Sequence, residues 1–301
     1  MATSSIPAQL RKHEIAGRVT VTEGSGGLPK IMVTAKSSTA EIYLLGAHVT
    51  GFQKNGEPPL LFISSKSWFA PGKPIRGGVP VCFPWFGARD GEPGHGFARI
   101  TDWELVKTSA DADGAVKLQF GLPEIPGRPA WKNLRAEFVV TVSDKLAMEF
   151  IATNNSPAVM EIENCLHTYF HVGDINQVSI TGLKSAPYLD NAAGGNGARK
   201  VENDSALRIA KETNRVYPDN AAAVEIRDEN LKRIIRVEKF NSNSTVVWNP
   251  WTTQKLPDDF DPAEHKQMVC VESGNVKQNK ISLAPGKTSV LKVILSSAPL
   301  K

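Results

Sequence analysis

The sequence predicts an all-β fold, a large antiparallel β-sandwich, and three observations carry that prediction. Short segments rich in β-branched and aromatic residues recur from end to end, turn signals separate them, and few windows show a helical period. Strands at this density, without helices between them, form antiparallel sheets rather than a doubly wound parallel one. In chain order the strand-like segments are Ile31 to Thr34, Glu41 to Leu45, Val116 to Phe120, Leu134 to Val142, Leu146 to Asn154, Val159 to Glu163 and Leu166 to Val172. They continue with Val178 to Thr181, Ala223 to Ile226, Arg233 to Val237, Thr245 to Trp248, Met268 to Glu272 and Val290 to Leu295. Asp113-Gly114, Ser143-Asp144, Asn154-Asn155-Ser156-Pro157, Asp228-Glu229-Asn230 and Ala284-Pro285-Gly286 punctuate them as turns. The glycine-rich segments Glu23 to Pro29 and Asn191 to Gly197 read as mobile hairpin tips. No shift in composition marks a linker and no fixed-period repeat is present, so residues 1–301 read as one domain.

Composition narrows the function classes. The 301 residues are 41% hydrophobic and 22% charged, enough for a large core. A net charge of +4 is spread along the chain rather than massed on one segment, which speaks against nucleic-acid binding. The amino-terminal stretch Met1 to Lys12 lacks the basic start and apolar run of a secretory leader, and no apolar run is long enough for a bilayer; no membrane role is expected. Cys82, Cys165 and Cys270 are widely spaced and odd in number, which predicts a reducing, cytoplasmic setting and no zinc or redox motif. There is no glycine-rich nucleotide fingerprint between a strand and a helix, so no nucleotide is expected.

The stretch from Arg76 to Trp103 is the exception to the strand pattern. Its six glycines and three prolines forbid a helix or a long central strand. It nevertheless carries Val81, Phe83, Trp85, Phe86 and Phe97, apolar surface that must pack. A packed loop with Arg76 at one end, and His95 and Arg99 at the other, reads as the wall of a polar site. Glycine beside a basic residue lets backbone N–H groups and a guanidinium converge on one anion. Solvated charges at the corners of a β fold are the plainer alternative.

Two further side chains could carry chemistry. In Cys165 to His171 the period of two places Cys165, His167 and Tyr169 on one strand face. In Met268 to Glu272, Val269 and Val271 mark one face and Met268, Cys270 and Glu272 the other. A carboxylate there is either exposed at the strand's end or desolvated in a cleft, where its pKa would rise toward that of a useful base. The pattern alone leaves both histidine and glutamate open to purely structural roles.

Six motifs, in order, decide more than any one of them. Arg-Gly-Gly-Val-Pro-Val-Cys-Phe-Pro-Trp-Phe-Gly from Arg76, His-Gly-Phe-Ala-Arg from His95, His-Thr-Tyr-Phe from His167, Asn-Arg-Val-Tyr from Asn214, Trp-Asn-Pro-Trp from Trp248 and Met-Val-Cys-Val-Glu-Ser-Gly-Asn from Met268 closely resemble the hexose-6-phosphate mutarotase branch of the aldose 1-epimerase family. The likeness runs from about Ile31 to about Leu295. It implies a galactose-mutarotase-like supersandwich with a sugar phosphate on its concave face. It further implies that His167 and Glu272 are the catalytic pair, that Arg76 and Arg99 serve the substrate phosphate, and that His95 lies beside them. Two departures stand out: relatives commonly have aspartate where this chain has Asn214, which can accept a hydrogen bond but brings no charge, and often glutamine where it has Gly94. Trp251 is assigned to the sugar site through a possible indole stack, while the acidic run Pro257 to Asp261 resembles a loop at the rim. The cysteines beside the pair read as apolar wall residues.

The implied reaction needs no cofactor and no metal. A base removes the anomeric hydroxyl proton while an acid protonates the ring oxygen, and the roles reverse on reclosure. Three readings follow: a glucose-6-phosphate 1-epimerase, a catalytically silent sugar-phosphate-binding protein on the same fold, and an epimerase for unphosphorylated aldoses. A small hexose phosphate is the expected partner; the sequence sets no oligomeric state, and a monomer is compatible with it.

Overall fold

In a computed structural model, which describes residues 6–300, the chain is almost entirely strand. Met1 to Ser5, part of the amino-terminal stretch read above as lacking a leader, lie outside the described residues, as does Lys301. The only α-helix among the described residues is the single turn Ala8–Arg11, and none is long and apolar enough to cross a membrane.

Two eight-stranded sheets form the body. One orders its strands Val178–Thr181, Val224–Asp228, Arg233–Phe240, Thr288–Pro299, Leu146–Asn154, Leu134–Val142, Val116–Gly121 and Glu104–Ala110, all antiparallel. The other runs Ala198–Val201, Pro187–Asp190, Thr213–Tyr217, Ser244–Asn249, Met268–Asn275, Asn164–Leu166 and Val81–Cys82, with Tyr169–His171 also paired to Met268–Asn275. A four-stranded antiparallel sheet, from Val19–Glu23 to His48–Lys54, flanks them. Period-two burial explains the stacking. In Leu146–Asn154 every second side chain is buried, and Leu146, Met148, Phe150 and Ala152 join Val247, Val269, Val271 and Leu166 of the other sheet in one core.

Alternation also dictates what the second sheet shows on its far face. With Val247, Val269 and Val271 committed to the core, Val246, Trp248, Cys270 and Glu272 must project the other way. Register then sets them side by side: Asn214 opposes Trp248, Val216 opposes Val246, Val246 opposes Glu272, and Cys270 is flanked by Trp248 and Tyr169.

Two sequence expectations are corrected. The run Leu166 to Val172 is not one strand: it breaks at His167 and Thr168, where the Thr168 N–H turns back to the Leu166 carbonyl and the His167 N–H leaves the ladder for the Pro80 carbonyl. Strands Val19–Glu23, His48–Lys54, Glu104–Ala110 and Thr213–Tyr217 were not among the expected segments, although Val19 and Val21 alternate with threonine as a half-buried strand requires. The glycine-rich segments Glu23 to Pro29 and Asn191 to Gly197 do join paired strands.

Candidate active site

The long stretch from Arg76 to Trp103 packs as its aromatics require. Phe83, Trp85 and Phe97 are buried, Phe83 against Phe150 of the opposite sheet at 4.8 Å between ring centroids, and the Trp85 indole N–H donates to the Pro93 carbonyl. Two glycines permit the close approaches. At Gly96, with φ +75°, an added Cβ would lie 2.0 Å from the Phe83 carbonyl oxygen, and at Gly78, with φ +59°, one would lie 2.3 Å from that of Val49. His48, fully buried and lowered to about 4 chiefly by that burial, bonds the Gly77 carbonyl at 2.7 Å and pins the loop's start.

This loop closes over the exposed face of the second sheet and leaves a hollow of about 280 Å³. Its lining includes Arg76, His95, His167, Asn214, Trp248 and Glu272. His167 and Glu272, 105 positions apart in the chain, meet there with Nε2 and Oε1 separated by 3.4 Å. Both are buried, at 8% and 1% exposure. The break in the strand at His167 turns the imidazole into the hollow, where Tyr169 stacks on it at 4.9 Å and 11° and Trp248 meets it edge-on. The Cys165 thiol reaches the other Glu272 oxygen at 3.6 Å.

Burial pushes the Glu272 carboxyl well above the usual range, against the Cys165 thiol and the Arg99 charge, which favour its anion. The same burial, with His95, Arg99 and Arg76 close by, drives His167 well below the usual histidine value. Burial thus draws Glu272 toward its protonated form and His167 toward its neutral one.

Around the pair the charge is positive. Arg76 is anchored by a two-pronged bond to Asp259, Nε to Oδ2 at 3.2 Å and Nη2 to Oδ1 at 3.1 Å, while its Nη1 donates to the Tyr169 hydroxyl. Arg99 stands behind the wall and not on the lining; its Nη2 donates to the Gly94 carbonyl at 2.7 Å, and its buried Nε has no hydrogen-bond partner among the described residues. His95, with φ +64°, is lowered to about 3 by burial and then by Arg99, Arg76 and Lys277. Its Nδ1 accepts from the Gly87 N–H at 3.4 Å, so the neutral ring carries its proton on Nε2 and offers it as a donor.

The sequence assigned Trp251 to the sugar site, and the structure sets a different indole on this hollow. Trp251, held at φ +53° by the bond from its N–H to the Asn249 side chain, packs against His265 and does not line the hollow; Trp248 does. The sequence reading also passed over Asp259, because an acidic run is normally solvated, and Lys277, because a lone lysine after a strand has no pattern.

His167, Cys270 and Glu272 bring three ligand atoms within 4.8 Å of one another. The positive surroundings set by Arg76 and Arg99 disfavour a cation there and favour an anion.

Comparison with known proteins bears on the fold and the family. The sequence pattern of the family described as aldose 1-epimerase matches residues 29–296. A Cenchrus ciliaris protein named "Putative glucose-6-phosphate 1-epimerase" is 34% identical over 288 residues, covering 91% of this chain and 86% of that one. An Escherichia coli K12 protein of the same name is 35% identical, covering 84% and 85%. A crystal structure from Salmonella typhimurium described as a "putative mutarotase (YeaD)" superimposes with a TM-score of 0.87 at 29% identity, covering 95% of this chain and 96% of that one. The antiparallel supersandwich, the shared hollow and the match over nearly the whole chain together establish that this protein belongs to the aldose 1-epimerase family.

Proposed function

We propose that the protein is a hexose-6-phosphate 1-epimerase, acting on glucose 6-phosphate without a cofactor, with His167 and Glu272 as its acid and base. The observation that carries the reading is the 3.4 Å approach of one imidazole and one carboxyl in a hollow surrounded by fixed cations. In the productive form the pair shares one proton, held by His167. Glu272 takes the anomeric hydroxyl proton as His167 delivers its own to the ring oxygen, and the C1–O5 bond breaks to give the open aldehyde. After C1 turns about the C1–C2 bond, His167 recovers the proton from the C5 hydroxyl as that oxygen attacks C1, and Glu272 returns its proton to the new anomeric oxygen. The pair begins and ends with one proton.

A bound phosphoryl dianion supports the start of this cycle. It offsets the Arg99 and Arg76 charges that, after burial and His95, depress His167, and so favours the imidazolium that the acid role requires. Arg76 and the neutral His95 N–H hold the remote end of the substrate, while Asn214 accepts from a ring hydroxyl through its carbonyl oxygen. A reducing cytoplasmic setting belongs to this reading, supported by Cys82 and Cys165, which face each other across two strands as free thiols.

Anomer-exchange NMR tests it. The protein should accelerate exchange of glucose 6-phosphate far more than that of glucose, and His167→Ala and Glu272→Gln should each lower the rate about 10²- to 10⁴-fold. Binding without acceleration would identify a silent sugar-phosphate module. Equal acceleration of both sugars would identify an aldose epimerase with no use for phosphate.

A further inference from the structure

We infer that Lys277 is a third cation of the anion subsite and selects phosphorylated over free sugar, with Glu163 as the residue that positions it. The inference rests on the reading that the substrate carries a phosphoryl group. Lys277 follows the catalytic strand Met268–Asn275 and lines the hollow. Its ammonium makes no hydrogen bond or ion pair among the described residues, whereas Arg76 is already committed to Asp259 and Arg99 to Gly94.

The backbone is built to aim this side chain. Lys277 is held at φ +58°, a conformation that L-residues avoid unless their surroundings impose it. Glu163 imposes it: one carboxylate oxygen accepts the Lys277 N–H at 2.5 Å and the other accepts the Phe86 N–H at 2.9 Å. One side chain thus ties the strand that bears Glu272 to the loop that bears Gly87 and His95. The ammonium passes over Gly87, where an added Cβ would lie 3.5 Å from Nζ. Gly94 leaves the opposite side open, since a Cβ there would meet only the Arg99 guanidinium at 3.9 Å and the Gly87 carbonyl at 4.0 Å. Arg76, Arg99 and Lys277 all act electrostatically on His95, which places three positive charges around one neutral N–H donor. That is a receptor for a dianion, and Lys277 supplies its free, mobile ligand.

The test compares kcat/KM for glucose 6-phosphate and for glucose in the full-length protein, using the ratio so that general damage cancels. Lys277→Met should lower the ratio about tenfold to a hundredfold, the worth of one charge-assisted hydrogen bond, mainly through KM for the phosphorylated sugar. Lys277→Arg should keep most of it. Glu163→Gln, which can accept through only one atom, should lower the ratio less, and adding it to Lys277→Met should change nothing further. A wild-type protein that prefers the phosphorylated sugar, with a ratio unmoved by Lys277→Met, would overturn the inference while leaving the phosphate reading intact. A wild-type protein with no preference would overturn both.

Discussion

In the acid–base mechanism proposed above, the protonation of His167 and Glu272 sets the pH dependence of the site. With both groups protonated no base remains, and with both bare no acid remains. Burial moves the first down and the second up, so neither group titrates at its ordinary solution value. kcat/KM, corrected for the substrate's own phosphate titration at about 6, should therefore show no inflection at 6.5, the ordinary histidine value. An inflection at 6.5 would mean that His167 titrates as a solvated imidazole and that the packed site is wrong. The pair was legible as two strand faces, since Val269 and Val271 had to go to the core and left Glu272 on the other side. That the faces belonged to one hollow was not legible, because contact between positions so far apart in sequence depends on strand order and register.

At the scale of elements, the loop from Arg76 to Trp103 and the acidic loop around Asp259 form one unit. Asp259 is wholly buried and its compensation is Arg76. Arg76→Met should cost about 3–5 kcal/mol of stability, because it leaves a carboxylate buried without its partner. Arg76→Met combined with Asp259→Leu should recover most of the melting temperature while KM for glucose 6-phosphate stays raised. If the double variant restored substrate binding as well, Arg76 would be a structural ion pair alone. Sequence pattern could read the loop's glycines and aromatics as a packed wall, since those types constrain the backbone locally. It could not separate a buried aspartate from its solvated neighbours Asp258 and Asp261, nor Trp248 from Trp251, because both distinctions depend on where a turn begins. Lys277 was illegible for a related reason: its direction is imposed by Glu163, a residue far away in sequence, between the strands Met160–Ile162 and Asn164–Leu166.

Across the whole molecule, the two sheets divide the labour: both fill the core with alternate side chains, and one also lines the hollow with its outward row. The all-β architecture was legible because period two survives in long core strands such as Leu146–Asn154. The order of those strands was not, since nothing local ties Thr288–Pro299 to Leu146–Asn154 across the chain. One detail of that arrangement reaches further. Cys82, Cys165 and Cys270 all sit fully enclosed near the Glu272 carboxyl, and enclosure pushes each thiol upward, away from the reactive anion. Sulfur here is silent until the protein breathes, so the chain carries its own stopwatch. A colorimetric disulfide reagent should release almost no chromophore in native buffer, three equivalents in guanidinium, and even less under native conditions once glucose 6-phosphate holds the walls together; prompt labelling of the resting protein would show that the floor of the site opens to water.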